Sequence, residues 1–356
     1  MLFYPDQRHM LDLTTIRRER LLPAEALGGV EVAEGAAVNL RDVVARGAVP
    51  SRYVMVQAAD FFRLKSPADL EDLLNVRPGS AVEKGAALAT RKNRRLLSPV
   101  NGVVAYIGDG LIILQQSPRE IVVEAGLEGE VVSLMAGRGV VIEASGALLQ
   151  GVWGNNRRSI GALRFEPDDG IETIQGDELN TLYRGAIVVT RRPLRETGLL
   201  IMEDQGFVGI IAPSMEADLI EPVLRAEGAI MLTEGFGSTR MSATITSMLT
   251  TFIGRPATLD AFLPNRWEAR RPEVIINPTS RGSGRPPRPN PDLALQIGTQ
   301  VRLTRAPNAG QVGKVVNLPK TPFMLDNGLR VRCAQVELLT GERVMTPLVN
   351  LEVFGR

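Results

Sequence analysis

The chain is 356 residues long, 44% hydrophobic and only 4% aromatic, which is room for two or three domains with aliphatic cores. One cysteine, Cys333, and one histidine, His9, exclude an intramolecular disulfide and Cys/His metal sites, and a Ser-His-Asp triad would have to recruit His9. Basic and acidic residues nearly balance at 41 and 40, but residues 281–356 hold 11 basic against 5 acidic, a positive field that favours anionic partners.

The opening MLFYPDQRHMLDLTTIRRER lacks the apolar core of a signal peptide, and no 18-residue apolar run follows. A soluble cytoplasmic protein with no membrane segment is expected, with His9 a solvated terminal residue. Residues 1–165 read as β-rich. Short β-prone runs and acidic or glycine turns over residues 1–50 are expected to complete the module that follows, and 53–60 to add one more strand. Ser66-Pro67 then opens a helix of about two turns, with Asp69, Glu71 and Asp72 near its positive end and Leu70, Leu73 and Leu74 on its apolar face.

From Val76 the run VRPGSAVEKGAALA, a short tip, and SPVNGVVAYIGDG place a turn at nearly every fifth or sixth residue. This pattern resembles the biotinyl/lipoyl-like barrel-sandwich hybrid over about forty residues. The resemblance implies a hairpin whose tip, in carrier proteins, presents a lysine flanked by methionines. Here the tip is Thr90-Arg91-Lys92-Asn93-Arg94-Arg95, short and without methionine. A non-carrier version of the module is therefore expected, with Lys92 the one candidate for modification and no cofactor. The hairpin 102–113 is echoed at 129–142, as a pseudo-symmetric sandwich requires.

Residues 177–276 change character to an α/β domain. Near-continuous apolar runs at 186–190, 199–202, 208–212 and 229–233 read as strands buried on both faces. Ser214 is expected to cap a helix ending near Gly228, and Ser238 or Thr239 one ending at Gly254. The opening YRGAIVVTRRPL resembles swivelling β/β/α domains, which implies architecture only, since that family's catalytic histidine has no counterpart here. The candidate ligand site is the loop that leaves the last strand. Gly235, Gly237, Ser238, Thr239 and Arg240 could offer backbone N–H groups, a helix end and one cation to a phosphate or carboxylate, or could form a plain tight turn. Arg191 and Arg192 could share that crevice.

In NRWEARRPEVIIN, Arg270 and Arg271 precede a closing strand and could contact an anionic partner or form a solvated rim; residues 277–295 then form a Pro/Gly/Arg linker. Residues 296–356 alternate in strand fashion, with turns at Asn308–Gly310, Asp326-Asn327-Gly328 and Thr340-Gly341, and spell a five-stranded barrel. The run from Gly298 to Val315, with Gly310 and Gly313, resembles the KOW motif of SH3-like barrels. That resemblance implies contact with RNA, ribosomal protein or polymerase surfaces, with Arg302, Arg305, Lys314, Lys320, Arg330 and Arg332 as the contact candidates. Together these readings point to a multidomain, β-rich protein: a barrel-sandwich-like region, a central α/β domain and an SH3-like barrel. A non-enzymatic scaffold that docks onto protein or nucleic acid is expected, with an RNA- or DNA-binding protein of transcription or translation, or an anion-binding or enzymatic α/β domain, as alternatives. No catalytic residue and no metal site are assigned.

Overall fold

The computed structural model describes residue 3 and residues 6–174, 181–268, 270–277, 285–290, 294–305 and 307–355. Strands β1 (Asp6–Leu21), β2 (Leu27–Val30), β3 (Ala37–Val38) and β4 (Val43–Val49) open a first β-module. Before it closes, the chain builds a second. This comprises β5 (Tyr53–Gln57), the short helix α1 (Ala58–Phe62), a 3-10 turn (Pro67–Leu73), β6 (Ala81–Val82), β7 (Ala87–Arg91), β8 (Arg94–Leu97), β9 (Gly102–Gly108) and β10 (Leu111–Gln116). Then β11 (Arg119–Glu124), β12 (Gly129–Met135) and β13 (Gly139–Gln150) complete the first.

The two modules repeat one another, and the inner copy is inserted into the outer. In the outer copy β4 pairs with β11, with a bulge between Ala45↔Val123 and Val43↔Glu124; in the inner, β7 pairs with β8, with the bulge between Ala89↔Leu96 and Ala87↔Leu97. The second hairpins match as well: β12–β13 slips between Val131↔Ile142 and Ser133↔Val141, and β9–β10 between Val104↔Leu114 and Tyr106↔Ile113. Outside the ladders, Gly35 N donates to Val131 O and Gly79 N to Val104 O, both at 2.7 Å. The β7–β8 hairpin turns at Lys92-Asn93, whereas the outer ladder runs two pairs further, to Val49↔Arg119, and there admits the whole inner copy.

A shared steric need explains one shared residue. A Cβ on Gly102 would lie 2.2 Å from Gln115 O, and one on Gly129 would lie 2.2 Å from Glu143 O, so each crossing of strand over strand accepts only glycine. The cores match in kind: Val44, Ala45, Val131, Val140 and Ile142 are buried in the outer copy where Leu88, Ala89, Val104, Ile112 and Leu114 are buried in the inner. Full burial of each large aliphatic side chain contributes about 1.5–3 kcal/mol. Residues 1–50 thus build a module of their own with β11–β13. The element opened by Ser66 is the 3-10 turn, with Ser66 and Asp69 forming the capping box.

The next strands are β14 (Trp153–Gly154), β15 (Arg157–Phe165), β16 (Ala186–Val189), β17 (Gly209–Met215), β18 (Ala229–Phe236), β19 (Pro256–Ala261) and β20 (Glu273–Ile276). β15, β16, β17 and β18 are parallel neighbours in that order. Helices α2 (Glu196–Gln205) and α3 (Ile220–Arg225) bury Leu199, Ile201, Met202 and Val223 on one face of this sheet; α4 (Ala243–Thr250) buries Ile245, Met248 and Leu249 on the other. Covered on both faces, β16 is apolar throughout, as are residues 209–212 of β17 and 229–232 of β18. The sheet recruits Arg157–Phe165, which lie before residue 177. The run 199–202 is helical, not a strand: four consecutive apolar residues fit either period, and Gly206 in the left-handed conformation closes the helix at φ +68. Ser214 lies inside β17, and α4 is capped by Ser242.

The sheet does not stop at the α/β region. β19 pairs with β20, β20 with β13, and β13 with β1; residues 6–9 of β1 then run parallel to β27 (Leu351–Gly355), the last strand of the C-terminal barrel. That barrel also holds β21 (Gln300–Leu303), β22 (Val312–Asn317), the arm β23 (Phe323–Met324) with β24 (Arg330–Val331), β25 (Cys333–Leu338) and β26 (Arg343–Pro347). Its order is β27-β21-β22-β25-β26 around Val301, Val315, Val336, Leu351 and Val353. β1 is therefore the seam between barrel and body. Among the described residues no helix is long and apolar enough to cross a membrane.

Candidate functional site

At the carboxyl ends of the parallel strands, the loops after β15, β16 and β18 converge. Glu166 is buried there; its Oε1 accepts from Arg191 N at 2.6 Å and its Oε2 from Ile171 N at 3.2 Å. Burial raises the Glu166 pKa, opposed by those two N–H donors and by Arg191 and Arg192. The Arg191 guanidinium stacks 4.8 Å from the Phe165 ring and lies 3.5 Å from Asp168, while Arg192 donates to Asp169 O at 3.0 Å. Both arginines brace the loop after β15.

The glycine loop is braced too. β18 runs on to Phe236; Gly237 N donates to Met215 O at 2.9 Å, the Ser214 hydroxyl to Thr239 O at 2.7 Å, and Met241 N to Arg191 O at 3.2 Å. Gly235 and Gly237 take φ of +109 and +112, and Ser238, Thr239 and Arg240 are exposed. The helix begins beyond these residues, at the Ser242 cap, so the loop is separated from the helix end that a phosphate cradle would use.

One candidate contact of the barrel lies in the interior. Arg302 is buried, with Nη1 paired to Glu234 and Nε 2.9 Å from Glu352 Oε2. Arg8 Nε lies 3.5 Å from the same Glu352 oxygen and its Nη1 donates to Thr233 O, while Arg271 Nη2 is 3.7 Å from Glu352 Oε1. Three guanidiniums and two carboxylates thus join β1, β18, β21, β27 and the approach to β20. Such a knot contributes little net stability when whole, but removal of one member costs about 3–5 kcal/mol because the rest stay buried and unpaired. It holds the barrel at a set orientation to the α/β sheet.

The remaining candidates, Arg305, Lys314, Lys320, Arg330 and Arg332, are exposed, and none forms an ion pair among the described residues. Three of them flank the arm. Here Phe323 faces Val331 and Met324 faces Arg330, with the reversal at Asp326-Asn327-Gly328 closed by Gly328 N donating to Leu325 O at 2.9 Å. Phe323, Met324 and Leu329 are 43%, 51% and 58% exposed, so the arm carries apolar surface outside the barrel core. Between residues 320 and 332 Asp326 is the only acid, against Lys320, Arg330 and Arg332. Lys92 occupies the apex of the β7–β8 hairpin, exposed, at φ +51.

Glu166, Glu352 and Arg8 were not singled out by sequence, and Glu234 was read only as part of the glycine loop; Glu166, Glu234 and Glu352 are charged residues in or at the end of a largely apolar strand, the one local signal for a buried pair, whereas Arg8 in the polar run Asp6–His9 carries no such signal. His9 is half-buried rather than solvated, and its backbone N–H donates to Gln150 Oε1 at 3.1 Å. No protein-family model matches the chain, and no curated protein matches it.

Proposed function

We propose that the protein is a non-enzymatic, cytoplasmic scaffold that docks onto a protein partner through its C-terminal barrel. The observation that carries this is the β23–β24 arm, where Phe323, Met324 and Leu329 are exposed beside Lys320, Arg330 and Arg332. Apolar surface rimmed by one sign of charge fits a partner with an apolar depression and an acidic edge. The buried knot around Arg302 supports the reading, since a barrel held at a set angle to a rigid body passes on orientation to whatever it holds. The KOW-like pattern of the barrel and the non-carrier barrel-sandwich pattern at 76–114 agree with a contact role.

The test compares affinity isolation of the full chain with that of a Phe323→Ser/Met324→Ser/Leu329→Ser variant. Retained species that depend on the arm are expected to vanish from the variant, whose melting temperature is expected to stay within a few degrees because all three side chains are exposed. An unchanged set of retained species would refute docking through the arm. Nucleic-acid binding is the second reading, favoured by the five exposed basic side chains that have no acidic partner among the described residues. It predicts salt-dependent retention on nucleic acid that weakens in Arg305→Glu/Lys314→Glu, and no retention at low ionic strength rules it out.

A further inference from the structure

Away from the barrel arm, a cleft of about 410 Å³ opens where β1 and β13 meet the approach to β20 and the linker. Five arginines, Arg17, Arg18, Arg270, Arg271 and Arg288, line it with His9, against one carboxylate, Glu273. They come from β1, the approach to β20 and the linker. The linker is fixed in place: Thr14 Oγ1 and Thr15 N donate to Pro287 O at 2.8 and 3.2 Å, and Thr15 Oγ1 donates to Pro286 O at 2.5 Å. Arg288 is thereby preorganised.

Three of the four carboxylates that meet the arginines here are shared. Glu273 takes Arg18 in a two-pronged pair, at 2.5 Å to Nε and 2.6 Å to Nη2. Asp260, by contrast, answers both Arg158 and Arg270, and Glu143 both Arg285 and Arg288. Glu352 is shared among Arg8, Arg271 and Arg302. Arg17 is exposed and makes no ion pair among the described residues. Among the described residues guanidinium charge therefore exceeds carboxylate charge in one place, on a chain whose formal net charge is only +1. Buried Arg20, two residues beyond Arg18, shows the crowding: burial first and then Arg158 push its pKa down to about 9. His9 adds a neutral donor or acceptor, because its Nδ1 is buried and has no hydrogen-bond partner among the described residues.

An excess of planar, multi-pronged cations in an open cleft matches clustered phosphoryl oxygens, which accept paired N–H donors. The volume lies within the range of small-ligand sites, about 300–1,000 Å³. We propose that this cleft binds a small oligophosphate through a pyrophosphate group, either free or carried by a nucleotide.

The test is titration calorimetry on the full chain at low ionic strength, with inorganic pyrophosphate, ADP and a single-stranded oligonucleotide as probes. Arg17→Gln/Arg288→Gln is the informative variant, because Arg17 has no ion-pair partner among the described residues and Glu143 keeps Arg285; Arg330→Glu, on the barrel arm, is the control. Saturable one-site binding of pyrophosphate is expected, weakened at least tenfold in the double variant and unchanged in Arg330→Glu. Tighter binding of ADP would assign the group to a nucleotide, and equal binding to a free oligophosphate. The proposal is overturned by absence of saturation at millimolar pyrophosphate, by equal weakening in Arg330→Glu, or by oligonucleotide binding that pyrophosphate does not displace. A thermal melt of each variant confirms that any loss of binding belongs to a folded protein.

Discussion

The outer and inner copies of the nested β-module share a backbone and differ in what they present. Their core positions, ladders, two bulges and glycine crossing coincide. Their outward sheet faces do not. The outer row Arg17, Glu143 and Glu130 corresponds, pair for pair, to Tyr53, Gln115 and Val103 of the inner copy, and Glu19, Val141 and Ser133 correspond to Met55, Ile113 and Tyr106. In the outer copy Glu143 anchors the linker arginines, so that face is sewn into the body of the molecule. The inner face remains open and apolar. One pattern of glycines and buried aliphatics can thus support a structural wall or a free surface, and only the outward-facing residues decide which.

Substituting the two crossing glycines separates their roles most sharply. Gly129→Ala drives a methyl into Glu143 O on the strand that joins the outer copy to the α/β sheet and to β1, and a loss of about 3 kcal/mol or more is expected. Gly102→Ala meets the same clash in the inner copy, which hangs from the body by residues 50–52 and 117–118. Global denaturation should report the first. The second should appear as loss of hydrogen-exchange protection confined to residues 53–116, with the main transition in place. Identical global losses would show that the inner copy is not an independent unit. Next in size is Arg285→Gln/Arg288→Gln, which leaves the buried Glu143 carboxylate without its two partners at a cost of about 2 kcal/mol by chemical denaturation.

How much of this was legible in the sequence depended on the range of the signal. The glycine-punctuated turns of the barrel and the apolar runs of β16, β17 and β18 are local patterns, and the structure has them where they were read. The repeat at 102–113 and 129–142 was legible, but its meaning was not, because β4 and β11 are parted by the whole inner copy and no local pattern says which strand closes on which. The fourfold apolar run at 199–202 was ambiguous between periods and resolved to helix once Glu196 and Gly206 framed it. Arg302 was read as surface because its strand alternates; its burial follows from β1 and Glu234, residues nearly 300 and 70 positions away. The arginine cleft was legible only in part: Arg270 and Arg271 read as possible contacts of an anionic partner, but nothing local says that Arg17 and Arg18 of β1 and Arg288 of the linker join them.

His9 gives a smaller effect that belongs to the outer copy alone. Burial, with Arg18 and Arg271, lowers its pKa from the ordinary 6.5, and Glu273 only partly opposes them. A group whose folded pKa is depressed binds more protons unfolded, so its contribution to stability is complete above 6.5 and is lost as pH falls through the folded value. Between pH 7 and pH 5 the wild type is expected to lose more stability than His9→Gln. Parallel profiles would place the acid sensitivity elsewhere.

The smallest expected change lies on the open inner face. Tyr53 and Met55 are 67% and 70% exposed, so Tyr53→Ser/Met55→Ser is expected to move stability by no more than about 0.5 kcal/mol per site. The sheet beneath is unaffected because the buried side of β5, Val54 and Val56, still packs on the inner core. Transplanting the outer solution is the stronger version: Tyr53→Arg with Val103→Glu places opposite charges on either side of Gln115, as Arg17 and Glu130 flank Glu143. If the faces differ only in what they present, the transplanted chain keeps its melting temperature and its hydrogen-exchange pattern. If the apolar row helps to hold the inner copy together, protection across residues 53–116 falls, and the face is part of the fold rather than a surface left free.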